Sequence, residues 1–399
     1  MTHILYLAHD LGDPAIRRRV MTLQAGGATV SLAGFKRGDN TLASVDGLMP
    51  IVLGETADGR FAQRIASVAK ASFNLGVRLK GSTKPNIILA RNLEMLALAR
   101  WANAFYGADI PVVYECLDIH RLLLNNGLPG KLLNAVQRAL GRNVKLLVTS
   151  SPAFVENYFT PRSGLNLPVL LQENKVLALD SATIQAPFPR VPVAGQPWKI
   201  GWFGALRCRK SLQVLADFAA RMDGKVEVIL RGRPAYSEFD DFDGFVERSP
   251  HLTFLGPYRN PEDLASIYRE VQFTWAIDFF EEGLNSSWLL PNRLYEGCLH
   301  GALPIAVAGT ETARFLQERD IGHVLEKADP ASLEGLFADF DDAAYLNGMR
   351  KLATIGRQQW VTDTNACREF VRVLQSLTSQ TPGTAADPVA ALALCGRTS

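Results

Sequence analysis

The sequence predicts an α/β protein built from two doubly wound units in tandem, and three observations carry this. Short apolar runs without alternation recur between helix-length stretches, as expected of parallel strands buried on both faces. The strand–helix rhythm plays through once, halts at a proline-rich stretch, and restarts. A chain of 399 residues with 47% hydrophobic and 21% charged residues also suits two domains of ordinary globular composition.

The first strand is the run ILYLA at 4–8, which ends in the loop HDLGDP. A helix follows, with Asp13 where an N-cap belongs and Pro14 in the first turn. Gly26 and Gly27 stop it, and a second strand runs over 28–33. Further strands are predicted at 86–90, 111–115 and 145–150, each apolar and separated by helix-length sequence. Over 181–197 the sequence SATIQAPFPRVPVAGQP has four prolines in seventeen residues, so it reads as a linker. The rhythm then resumes with strands at 199–203, 226–230, 252–255, 273–277, 303–307 and 323–326. Helices fit 211–222, 261–270, 292–300 and 310–319. A closing helical stretch over 345–379 is long enough to reach back to the first unit. The expected organisation is therefore a Rossmann-like domain over 1–190, a second over 191–378, and a loose tail over 379–399 rich in Pro, Gly and small residues.

Charge and cysteine content narrow the function. The total of 42 Lys and Arg against 40 Asp and Glu hides an asymmetry: 21 against 13 up to Arg190, then 21 against 27. The first half is thus the part expected to meet something anionic. Five scattered cysteines without a CxxC pair read as reduced thiols rather than a disulfide or zinc site. No signal peptide and no spanning apolar run is apparent, so a cytoplasmic protein is expected. The chain contains no GxGxxG, Walker A, HExxH or GxSxG motif. Nicotinamide redox chemistry, P-loop phosphoryl transfer, zinc proteolysis and hydrolase-elbow catalysis lose their usual signatures.

In paired α/β units, ligands bind beyond the carboxyl ends of the strands. The second unit opens with GWFGALRCRKSL, in which Arg207, Arg209 and Lys210 precede a helix start at Ser211. Guanidinium and ammonium groups beside a helix N-terminus make an anion cradle; the plain alternative is a solvated basic turn. The next strand ends in Arg231 and Arg233, on the same rim. The segment LPNRLYEGCLHGALPIAV over 290–307 places Asn292 and Glu296 four apart on one short helix, hence on one face. An ionised carboxylate there can accept both hydroxyls of a ribose, and Arg293 can add charge for a diphosphate. The plain alternative is an Arg–Glu surface pair.

Taken in order, these segments resemble the GT-B glycosyltransferases, specifically the large group like glycosyltransferase family 4. PNRLYEGCLHGALPIAV resembles that group's pattern PNKLFEYMAAGKPVI. HDLGDPAIRRRVMTLQAGGATVSLAGF is similar to its first strand, loop and helix, VVYECLDIH to its loop near the bound sugar, and the closing helix with Trp360 to its crossover. The likeness spans about residues 1–378 and looks strongest to bacterial exopolysaccharide transferases such as those of succinoglycan synthesis. It implies a GT-B fold, two Rossmann-like domains facing each other across a cleft with the last helix crossing back. It also implies a nucleotide-sugar donor held mainly by the second unit, with no metal required. By the same resemblance, Arg207 and Lys210 would hold the diphosphate, with Arg209 as substitute. Glu296 would hold the ribose, and Asn292 with Arg293 would line the pocket, while Arg231 joins the donor-binding candidates from its place on the same rim. Gly12 would let the backbone approach the donor, and Asp118 or His120 would be the polar group near the reacting sugar.

One departure bears on the donor sugar. Many family members carry two glutamates eight positions apart, but the position eight before Glu296 is Trp288. Glu281, Glu282 and Asn285 are candidates for the missing contact. Displacement at the anomeric carbon charges the leaving nucleoside diphosphate, so fixed cations such as Arg207 and Lys210 can take the place of a metal. The pair Asp241 and Asp243 reads as a solvated acidic loop. If the reaction inverts, Asp118 and His120 are the candidate bases, although Asp118 can also be a helix cap.

Two stretches of the first half are basic and free of acid: 60–84, with Arg60, Arg64, Lys70, Arg78, Lys80 and Lys84, and 119–150, with Arg121, Lys131, Arg138, Arg142 and Lys145. Both hold apolar residues at helical spacing, so peripheral association with an anionic membrane surface is expected. A solvated face or binding to acidic polysaccharide would fit the same pattern. Nucleic acid is disfavoured, because the second half is acidic and the stretches lack an interleaved run of stacking aromatics. The leading expectation is transfer of a hexose, glucose from UDP-glucose, to a lipid-diphosphate-linked oligosaccharide on the inner membrane face. The alternatives are a GT-B-shaped nucleotide-sugar epimerase and a non-catalytic nucleotide-binding scaffold.

Overall fold

The computed structural model describes residues 1–37, 44–56, 61–107, 109–179 and 188–379, with the side chains of 61–66 and 69 left aside. The tail from Gln380, with Cys395, and part of the proline-rich stretch lie outside the described residues, as do Arg60 and the Arg64 side chain. Two compact units result, one from Met1–Gln172 with the segment from Asp363 onward, the other from Glu173–Thr362. Both are α/β with parallel sheets, as the sequence predicts.

In the first unit, strands β1 (His3–Ala8), β2 (Thr29–Arg37), β3 (Ile51–Thr56), β4 (Ile87–Arg91), β5 (Val112–Glu115), β6 (Val144–Thr149) and β7 (Val169–Leu171) form one sheet in the order β3-β2-β1-β4-β5-β6-β7. Tyr6 sits in register with Leu32 on one side and Leu89 on the other, in parallel ladders. Helix α1 (Pro14–Ala25) starts as predicted, with the Asp13 carboxylate accepting from the Ala15 N–H at 2.8 Å. Helices α2 (Phe61–Arg78), α3 (Leu93–Tyr106) and α4 (Leu128–Gly141) follow, then a short α5 (Pro152–Phe154) that runs on in π-helical turns to Ser163.

The second unit holds β8 (Val176–Leu177), β9 (Trp198–Leu206), β10 (Val226–Pro234), β11 (Leu252–Phe254), β12 (Phe273–Trp275), β13 (Leu303–Val307), β14 (His323–Leu325) and β15 (Val361–Thr362). Six of these make a parallel sheet in the order β11-β10-β9-β12-β13-β14, and β8 pairs with β15 separately. The helices are α6 (Arg209–Met222), α7 (Phe242–Arg248), α8 (Leu264–Arg269), α9 (Asn292–His300), α10 (Glu311–Arg319), α11 (Pro330–Phe337) and α12 (Asp342–Thr354). The last helix, α13 (Thr364–Ser379), belongs to the first unit, where its buried Cys367, Phe370, Val371 and Leu374 pack beside α1. Arg19 stacks over the Phe370 ring at 4.7 Å. Gly26 makes this approach possible: a Cβ there would lie 2.4 Å from the Cys367 carbonyl oxygen.

Three expectations are corrected. The closing helix is two helices, because the chain leaves α12 to pair Val361 and Thr362 with Val176 and Leu177 before α13 begins. The boundary expected at 190/191 falls at Gln172/Glu173, because the next residues pack on the second unit. Glu173 accepts from the Tyr295 hydroxyl at 3.1 Å, and Asn174 donates to the Leu290 carbonyl at 2.9 Å. The described end of the proline-rich stretch is likewise fastened there. Arg190 donates to the carbonyls of Tyr268, Val271, His300 and Gly301 at 3.0–3.3 Å.

Candidate active site

In each unit the strand order reverses at one point, β1 beside β4 in the first and β9 beside β12 in the second. Loops leaving the carboxyl ends at such a reversal diverge and leave a crevice for a ligand. A cluster of charged side chains lies at each of these two points.

At the second unit's reversal, the loop after β9 supplies Arg207 and the start of α6 supplies Lys210, opposite the loop that follows β12. The Asp278 carboxylate lies 3.7 Å from Arg207 and 3.8 Å from Arg293. Arg293 is buried and donates to the Ile277 carbonyl at 2.8 Å. Lys210 pairs with Glu282 at 2.5 Å and sits over the Phe279 ring, while Arg207 stacks on Phe280 at 4.5 Å. Three cations thus converge on one short loop, whose carboxylates and rings hold them in place. The strands beneath come very close: a Cβ on Gly232 of β10 would lie 1.8 Å from the Gly204 oxygen of β9. With a backbone φ of +132° as well, only glycine fits there.

Other predicted donor residues turn elsewhere. Arg209 makes a bidentate pair with Asp240 at 2.7 and 3.0 Å, and Arg231 donates from Nη2 alone to both Glu270 oxygens at 3.1 and 3.0 Å. Asn292 is exposed while Glu296, on the same helix, is buried, so the two do not share an environment. Nor are Arg293 and Glu296 a surface pair. Glu296 accepts from Asn260 Nδ2 at 2.8 Å and from the Tyr268 hydroxyl at 3.1 Å. Burial and the Glu296 charge push the Tyr268 hydroxyl well above its usual pKa, so it stays a donor. Of the candidates for the missing glutamate, Glu282 is on Lys210, Asn285 is buried, and the Glu281 N–H donates to Ser286 Oγ at 2.7 Å.

The first unit gathers a different set. Glu115, at the end of β5, is fully buried and accepts from Arg19 Nε at 2.5 Å, the Tyr6 hydroxyl at 2.7 Å and Arg91 at 3.3 Å. Burial alone would raise its pKa, but the two guanidinium groups and the hydrogen bonds outweigh that and hold it at about 2. Arg91 also faces Asp13 at 3.7 Å, and Asp13 faces His9 at the same distance. Gly12 lies exposed in this loop, its N–H donating to Asp10 at 2.9 Å. Composition and motif gave no weight to Glu115, Arg91, Arg19 or Asp278. The legible signal was a charged residue closing an apolar strand, VVYE or IILAR.

Asp118 and His120 follow β5. Asp118 is exposed, and its carbonyl accepts from Cys116 Sγ at 3.2 Å. The cap expected of Asp118 is instead made by His120, whose Nδ1 accepts from the Leu122 N–H at 3.3 Å. Asp241 caps α7 through the Gly244 N–H. A cavity of about 450 Å³ between α3 and α4 opens beside Val112, at the opposite end of β5 from Glu115.

Solved structures with this architecture include sucrose-phosphate synthase from Thermosynechococcus elongatus, which is 13% identical and superposes with a TM-score of 0.70 over 96% of this chain and 100% of that one. Anabaena Alr3699/HepE in complex with UDP-glucose is 16% identical, with a TM-score of 0.63 over 95% of this chain and 100% of that one. The lipopolysaccharide outer core galactosyltransferase WaaB is 12% identical, with a TM-score of 0.62 over 94% and 99%. No family model matches the chain. At the level of sequence, the chain is 58% identical over 395 residues, 98% of each protein, to succinoglycan biosynthesis protein ExoL of Rhizobium meliloti. These likenesses define the class by its fold, the GT-B architecture of two Rossmann-like domains. Within that class, the chain belongs to the family of succinoglycan biosynthesis protein ExoL.

Proposed function

We propose that this protein is a glycosyltransferase that moves a hexose, glucose from UDP-glucose, onto a lipid-diphosphate-linked oligosaccharide in exopolysaccharide synthesis at the inner membrane face. The observation that carries the donor side is the convergence of Arg207, Lys210 and Arg293 on one loop at the strand reversal of the second unit. In the transfer, the bond from the anomeric carbon to the diphosphate oxygen breaks, an acceptor hydroxyl oxygen bonds to that carbon, and the hydroxyl proton passes to the departing diphosphate. The departing diphosphate gains charge as this happens. Cations already fixed in place stabilise it without reorganising, and no metal is invoked. Glu296, steadied by Asn260 and Tyr268, takes the ribose hydroxyls, a carboxylate being an acceptor of both. Support for the sugar nucleotide comes from a fold neighbour solved with UDP-glucose, and support for the pathway from the succinoglycan relative.

Because His120 Nδ1 accepts a backbone N–H, the neutral ring carries its proton on Nε2 and presents a donor there. A hydrogen bond to the sugar suits that tautomer better than removal of the acceptor proton.

Calorimetric titration with UDP, GDP and ADP tests the donor reading, repeated on Glu296→Gln and Arg207→Ala. Selective UDP binding, weakened at least roughly ten-fold in both variants, is the expected result for groups that hydrogen-bond or charge-pair with the ligand. Equal binding in the variants would remove the site assignment. Sugar released or epimerised from UDP-glucose without acceptor would favour the epimerase, and binding with no turnover on any lipid-linked acceptor would favour the scaffold.

A further inference from the structure

In the first unit, the crossover from β1 to β2 runs opposite to those from β3 to β4, β4 to β5 and β5 to β6. With right-handed crossovers, α1 lies on one face of the sheet and α2, α3 and α4 lie together on the other. The outer surface of those three helices is unlike a solvated one. Phe73 is 81% exposed on α2, Trp101 is 51% exposed on α3, and Leu128 and Leu132 are 82% and 68% exposed on α4. Phe73 and Trp101 have ring centroids 6.3 Å apart, so α2 and α3 share one apolar ridge. Leu128, Leu132 and Val136 follow at four-residue spacing, a single line along α4.

The same surface is basic. Lys70, Lys80, Lys131 and Arg138 are exposed on or just beyond α2 and α4, and neither helix contains an acidic residue. Glu94, in the first turn of α3, is the one acidic residue within the three helices.

We infer that the α2–α3–α4 face docks on an anionic lipid surface. Phe73, Trp101, Leu128 and Leu132 reach past the headgroups, while the lysines and Arg138 stay level with the phosphates, their stems lying along the apolar ridge. Charge decides between lipid and a second copy of the chain. A self-complementary contact would bring this basic surface against itself, whereas lipid phosphates neutralise it. The inference rests on the reading of a lipid-linked acceptor, for which it supplies the surface that brings the enzyme to its substrate.

Sedimentation of the full chain with phosphatidylcholine vesicles, with and without phosphatidylglycerol, tests it. The protein should pellet with the anionic vesicles. The double variants Phe73→Ser/Leu132→Ser and Lys80→Glu/Lys131→Glu should each bind them at least roughly ten-fold more weakly, the first through two lost apolar side chains and the second because each basic residue near the surface contributes about five-fold. UDP affinity should be unchanged in both, because none of these residues belongs to the second unit. Quenching of Trp fluorescence by brominated lipid should largely disappear in Trp101→Phe. Failure to bind anionic vesicles, or unchanged binding in both double variants, would overturn the inference. So would concentration-dependent dimers of the parent that Phe73→Ser/Leu132→Ser abolishes. Transfer to a lipid-linked acceptor in detergent without vesicle binding would sink the docking face and leave the acceptor reading standing. Vesicle binding without any such transfer would do the reverse.

Discussion

Glu115 is a carboxylate with no exposed surface, ionised because Arg19 and Arg91 stand beside it. Removing one partner of a buried pair leaves the others charged and unsolvated, so Glu115→Ala should cost about 3–5 kcal/mol in urea unfolding. A loss under about 1 kcal/mol would show that water reaches the two arginines. Tyr6→Phe removes one hydrogen bond to a charged acceptor and should cost about 1.5–3 kcal/mol. The same residues explain what the sequence left illegible here. Charge at the end of an apolar strand is visible in VVYE and IILAR, but which cation meets which carboxylate depends on β1, β4 and β5 being neighbours in the sheet. The basic turn after β9 shows the same limit. Arg207, Arg209 and Lys210 are nearly equivalent as letters, yet Arg209 turns outward to Asp240 while the other two face the loop after β12.

At the scale of elements, α13 covers α1 with an apolar face that the sequence spells out at helical spacing. Phe370→Ala should cost about 3–5 kcal/mol, the usual range for emptying a buried aromatic site. Gly26→Val should cost at least as much, because the α1–α13 approach has no room for a side chain at that position. Thermal melts of both variants check this, and a normal melt for Gly26→Val would mean that α13 can shift away from α1 without loss. Strands and helices with strong patterning, such as α9 at 292–300 and β13 at 303–307, match the sequence reading to the residue. The two-residue β8 and β15 were not legible, because so short a pair carries no periodicity. Their pairing interrupts what otherwise reads as one long helix.

For the whole molecule, acid is the condition to which the structure points. Burial, with help from the charges of Arg269 and Arg190, lowers His300 to about 4, and burial with Lys351 lowers His323 to about 4. Both folded values lie below the ordinary histidine value, so the fold resists their protonation. Stability is therefore full above about pH 6.5 and falls as pH drops toward 4, by on the order of 2 kcal/mol for each group. Glu115 adds a loss of the same sign at lower pH, from about 4.5 toward 2. Melting temperatures measured across this window should decline steadily, and His323→Phe should flatten the decline because its ring already packs among Phe273 and Phe340. A flat profile in the parent protein would mean that both imidazoles are solvated.

The α/β class, the tandem arrangement, most strand positions and the cationic turn after β9 were determined by the sequence alone. Patterning, capping and breaker residues act over a few positions and are visible wherever they occur. The return of the last helix to the first unit was likewise expected, but only the tertiary structure decided that the boundary follows Gln172 and that Glu296 is held by Asn260 and Tyr268. It also decided that Arg207, Lys210 and Arg293, rather than Arg209 or Arg231, face one loop. Those outcomes depend on which strands become neighbours, and the carboxylate a given cation meets is fixed by sheet order over distances of tens of residues.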